Sequence, residues 1–209
     1  MEEGEKGYGA AYREAIEELR KADLKKVAGR SGAEMRDGAI LIEYLGRRFK
    51  VIPPDFNVRY DQSEERVPLK TQTIILHYLK EARGTPPTGR LIDFRQIPSG
   101  IFYYPVFQAT VERPLLETFG DDPAEFVKAA EKLGAKRAEF GSFSARIPVF
   151  PKVSITFVLY EGDEEFPPSS KVLFDSSIQD YLTIELVRIV CEEIANRLIE
   201  LASDEKRKE

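Results

Sequence analysis

The sequence predicts an α+β fold: a single domain over 8–202 in which a mainly antiparallel sheet is covered by helices and a long helix ends the chain. Three observations predict it. Strand-like segments come in adjacent pairs instead of alternating with helices, the order of antiparallel pairing and not of parallel crossovers. Apolar residues recur at helical spacing near both ends of the chain. No composition break is long enough for an interdomain linker, and no internal repeat is found. Segments 1–7 and 203–209 are expected to be flexible tails, the second carrying Lys206-Arg207-Lys208 as a solubilising end.

The first helix is expected from Tyr8 to Ala22. Tyr8, Ala11, Tyr12, Ala15, Ile16, Leu19 and Ala22 share one face, with Arg13, Glu14, Glu17 and Arg20 on the other. A polar, glycine-containing stretch covers Lys25 to Gly38. AILIEYL and RRFKVIP, joined at Gly46, read as a hairpin. Pro53-Pro54 stops its second strand, because proline cannot donate to a ladder. A second helix spans Pro68 to Arg83, with Pro68 in the first turn, where a missing N–H costs nothing.

GTPPTG is a loop, and LIDFRQI a strand that ends at the Pro98-Ser99-Gly100 turn. The aromatic run IFYYPVFQATVE reads as a helix, with Pro114 opening a fresh turn after it. A helix from Pro123 to Leu133 closes at Gly134, where a left-handed residue is favoured. FSARIPVF and VSITFVLY are strands, EGDEEFPPSS a turn and KVLFD a short strand. Thr183 caps the final helix, whose buried stripe is Val187, Val190, Ile194, Leu198 and Leu201.

A formal net charge of −5 argues against a broad phosphate-binding surface, so no nucleic-acid partner is expected. No apolar run approaches the ~18–20 residues of a membrane helix. The opening MEEGEKGYGA is acidic where a secretory leader is basic and then apolar, so a cytoplasmic location without membrane attachment is expected. Cys191, the only cysteine, leaves no internal disulfide and no cysteine-built zinc or iron–sulfur site. Asn57 and Asn196 are the only asparagines while Glu, Lys and Arg abound, a balance that leans towards a thermophile.

Two lone residues read as structural. His77, the only histidine, points away from a core face of Ile75, Leu79 and Ala82, towards Lys70 and Glu81, and is expected on the solvated surface. Cys191 lies mid-helix before Glu192 and Glu193, which disfavour a thiolate, and is expected in the core.

Two segments are the candidates for a binding site. In the first, Asp93 and Arg95 on a strand precede Tyr103 and Tyr104, which resembles a pocket wall of apolar area with a few orienting polar groups. The competing reading is an exposed Asp93–Arg95 pair above aromatic core residues. In the second, Asp163, Glu164 and Glu165 follow Glu161 in an acidic turn, and Asp175 ends the next strand. A hairpin that gathered these carboxylates at one end would suit a hard cation or acid–base work. The competing reading is a solvated turn, with Asp175 capping Ser176 and Ser177. No dinucleotide, phosphate-loop, zinc-protease or nucleophile-elbow motif occurs, which leaves catalysis itself open.

The run VFPKVSITFVLYEGDEEFPPSSKVLFDSSIQDYLTIE, with LGRRFKVIPPD, LHYL and LIDFRQIPSG, resembles the family known as domain of unknown function 3786, from about Tyr8 to the final helix. EGDEEFPP followed by LFD is its most specific part. The resemblance implies an anaerobic bacterium or archaeon, and anaerobic cofactor or one-carbon metabolism. Some members carry an added iron–sulfur domain with a cluster like that of corrinoid iron–sulfur proteins. This chain lacks those cysteines, so electron transfer would need a separate iron–sulfur protein as partner. The resulting expectation is an accessory protein binding a small-molecule cofactor, a corrinoid or other tetrapyrrole. The alternatives are a carboxylate-based enzyme, with or without a divalent metal, and a non-catalytic interaction module.

Overall fold

Pairing between neighbouring strand segments yields two antiparallel sheets in the computed structural model, which describes the backbone over residues 3–206 and side chains from Tyr8 to Asp204. The chain forms two compact units, and each draws on more than one stretch of sequence.

The first unit holds α1 (Glu3–Lys21), α2 (Leu24–Ser31), four strands and α3 (Leu69–Glu81). Its sheet runs in the order β1 (Glu34–Arg36), β2 (Ala39–Tyr44), β3 (Arg47–Ile52) and β4 (Asn57–Tyr60). The Gly46 hairpin forms as the sequence predicts, with Tyr44 opposite Arg47 and Ile40 opposite Val51. The polar stretch after Lys25 contains a helix and a strand as well as loop. Asp23 starts that helix by accepting from the amides of Lys25 (3.0 Å) and Lys26 (3.3 Å), which supplies partners the first turn otherwise lacks.

α3 sits at the centre of this unit. Tyr78 donates to the Ser31 carbonyl at 2.7 Å and stacks on Phe150 with ring centroids 3.8 Å apart. Phe150 in turn meets Tyr44 of β2 at 4.8 Å. Phe150 belongs to Val149–Val153, one of two later segments built into this unit; the other is Asp180–Thr183. The Leu45 amide donates to Val149 O, and the Arg83 amide to Asp180 O, each at 3.0 Å.

His77 departs from expectation. It is only 9% exposed, and its Nε2 lies 3.0 Å from the Ala11 carbonyl of α1. A single apolar face implied a solvated opposite side, yet α1 covers that side, so every residue from Thr73 to Leu79 is buried.

The other sheet runs in the order β5 (Leu91–Asp93), β9 (Ser169–Asp175), β8 (Val153–Tyr160), β7 (Phe143–Phe150) and β6 (Lys136–Arg137), and all of it but Val149, Phe150 and Val153 belongs to the second unit. The helices of that unit are α4 (Gly100–Phe107), α5 (Arg113–Phe119), α6 (Pro123–Lys132) and α7 (Ile184–Lys206). Val187, Val190, Cys191, Ile194 and Leu198 of α7 are fully buried, as the stripe and the core cysteine predict, whereas Leu201 is half-buried.

The α+β class, the antiparallel pairing and the long closing helix are those the sequence predicts. Helix reaches into both segments expected as tails, from Glu3 and to Lys206, while Met1, Glu2 and 207–209 lie outside the described residues, as do the side chains of the Lys206-Arg207-Lys208 run. No described helix is long and apolar enough to cross a membrane.

Candidate functional site

LIDFRQI is a strand for only three residues. Asp93 then caps a short 3-10 helix, Phe94–Gln96: its Oδ1 accepts from the Arg95 amide at 2.9 Å, and the Gln96 side chain accepts from the Asp93 amide at 2.9 Å. This reciprocal cap turns Arg95 back, so that it donates to Asp93 Oδ2 at 2.7 Å. Burial pulls the Asp93 carboxyl upward, but the bonds from Arg95 outweigh it and hold the group below its ordinary range.

The chain enters α4 through Ser99, in a left-handed conformation, and Gly100. A Cβ on Gly100 would collide with the Phe94 carbonyl oxygen, so any larger residue here forces the turn to shift. Pro105 lies inside α4 and Pro114 in the first turn of α5, and neither donates a helical hydrogen bond. Between them Gln108–Glu112 takes wide π-helical turns, with the Arg113 amide donating to Gln108 O. The widening keeps Phe107, Val111, Leu115 and Phe119, spaced four apart, on the buried side. Phe107 stacks on Phe94 at 3.9 Å, and both approach Phe174 of β9.

The same wide turn buries Glu112, which is 7% exposed. Its carboxylate accepts from the Tyr104 hydroxyl at 2.9 Å, and its main-chain carbonyl accepts from Ser170 Oγ at 2.6 Å. Arg95 stands over the other side of Tyr104, with Cζ 5.0 Å from the ring centroid. Burial pushes the Glu112 carboxyl up, against the pull of Tyr104, Arg95 and Lys171. Burial and the bond to Glu112 push the Tyr104 phenol up to about 12. Cys191 lies within the influence of Glu112, and burial raises its thiol far out of the reactive range. Glu112 was not singled out from sequence. The available signal was its position as the lone charge between Arg95 and Arg113.

The outward side of α4 is apolar. Phe102 is 84% exposed, Ile101 70% and Val106 50%, and Pro105 and Ala109 are exposed beside them. Tyr103 donates to Glu185 of α7 at 3.1 Å, which anchors one edge of the stripe.

The acidic candidates take up separate positions. β8 and β9 form the expected hairpin, with Tyr160 opposite Ser169 and Ile155 opposite Phe174. That register leaves Asp163, Glu164 and Glu165 at the turn end and Asp175 at the other, roughly 20 Å along the strand. Asp163 Oδ1 accepts from the amides of Glu165 (2.9 Å) and Phe166 (2.7 Å), and all three turn carboxylates are exposed. Asp175 accepts from Thr88 and Gly89 on one side and from the amide and hydroxyl of Ser177 on the other. Burial opposes its ionisation, but these bonds, Ser177 foremost, hold its carboxyl well below the usual range. Among the described residues no group of three or more His, Cys, Asp and Glu side chains is placed to hold a metal ion.

Of the residues singled out from sequence, the structure thus gathers Asp93, Arg95 and Tyr104 and sets Tyr103 beside them. It does not bring the acidic turn to Asp175.

The family model for a domain of unknown function, DUF3786, matches residues 23–197. The chain belongs to that family. The DUF3786 match takes in the whole of the Asp93–Glu112 cluster, the β8–β9 hairpin and most of α7. No match was found among curated proteins or among solved structures.

Proposed function

We propose that this DUF3786 chain is a non-catalytic accessory protein that docks to a protein partner through the outward side of α4. The observation that carries the reading is the solvent-facing stripe of Ile101, Phe102, Pro105, Val106 and Ala109, uninterrupted by charge and anchored at Gly100 and Tyr103. A monomer rarely leaves large apolar side chains clustered at such exposure without a surface to cover them. A helix presenting apolar anchors one turn apart suits insertion into a groove. The family resemblance supports an anaerobic setting with a separate iron–sulfur protein as the partner class, and the scarcity of asparagine beside abundant Glu, Lys and Arg leans towards a thermophile.

The dispersed carboxylates give less support to an acid–base or metal-dependent enzyme. A second reading retains the corrinoid or other tetrapyrrole, favoured by one observation: the Phe102 ring is largely exposed. Such a ring offers a stacking face to a planar ligand. The chain offers no imidazole as axial ligand, since the only histidine is buried against Ala11.

The test compares the parent with Phe102→Glu and Val106→Glu as immobilised bait, followed by titration with the identified partner after purification. The docking reading expects at least about a tenfold loss of affinity in each variant, matching the removal of one buried anchor. Equal binding by parent and variants sinks it. Haem or cobalamin spectra that shift with the parent and not with Phe102→Glu favour the second reading instead.

A further inference from the structure

We draw no further inference here: the strongest candidate, the tip of the β8–β9 hairpin where exposed Phe166 stands beside Asp163, Glu164 and Glu165, is a cluster of solvated carboxylates at which nothing among the described residues shows what would bind or cover it.

Discussion

Glu112 is buried with a tyrosine hydroxyl as its carboxylate's hydrogen-bond donor, so ionising it works against the fold. Its carboxyl is raised in the folded chain, which means the folded state holds the proton more tightly than the unfolded one. Stability is therefore full below the ordinary glutamate range and declines as pH climbs through it towards the raised value. Glu112→Gln keeps an acceptor for Tyr104 and removes the charge. Its melting temperature should equal or exceed the parent's at pH 8, by about 1 kcal/mol in stability, with the gap closing towards about pH 4. A variant below the parent at every pH would show that the charge itself is held favourably. Asp175 has the opposite sign. Its lowered carboxyl contributes stability above about pH 4 and loses it as the pH falls further. Asp175→Asn should cost about 1–2 kcal/mol at neutral pH, allowing for its partial exposure, and should flatten the acid limb of the unfolding curve. The Asp175 cap and the Asp93–Arg95 pair were legible in the sequence because their partners lie within two residues. His77 and Glu112 were not, because what buries them comes from elsewhere: Ala11 lies far upstream of His77, and Ser170 far downstream of Glu112.

Among the elements, the run from α4 through the π-helical turns to α5 depends most on single positions. Gly100→Ala should cost about 3 kcal/mol, since its methyl must displace the Phe94 carbonyl or lift α4 away. Urea denaturation followed by circular dichroism checks this, and an unchanged midpoint would mean the turn can relax. Elements with strong local signals were readable: the Gly46 hairpin from its turn, α6 from its closing glycine, α7 from its stripe. α2 was hidden in polar composition, although Asp23 supplies its cap. β1 and β4 are edge strands of three and four residues, too short for an alternating pattern to declare itself. The wide turns at Gln108–Glu112 were beyond reach as well. Their residues suit an ordinary helix, and only the flanking prolines together with the demands of the core select the wider winding.

At the scale of the molecule, the first unit is assembled from three stretches of chain. Phe150 joins Tyr44 and Tyr78, and the Asp180 backbone receives the Arg83 amide. A fragment of residues 1–87 should therefore lack the cooperative thermal transition seen in the full chain. Phe150→Ala in the full chain should cost about 3–5 kcal/mol. A sharp transition from the fragment alone would show that the later segments only decorate a finished core. Neither inserted segment differs in composition from its surroundings, which is why the sequence read as continuous. The insertion also governs how the protein comes into being. During synthesis the earliest helices and strands must wait, with Tyr44 and Tyr78 uncovered, until Val149–Val153 and then Asp180–Thr183 have left the ribosome. The nascent chain is most in need of a chaperone during that interval.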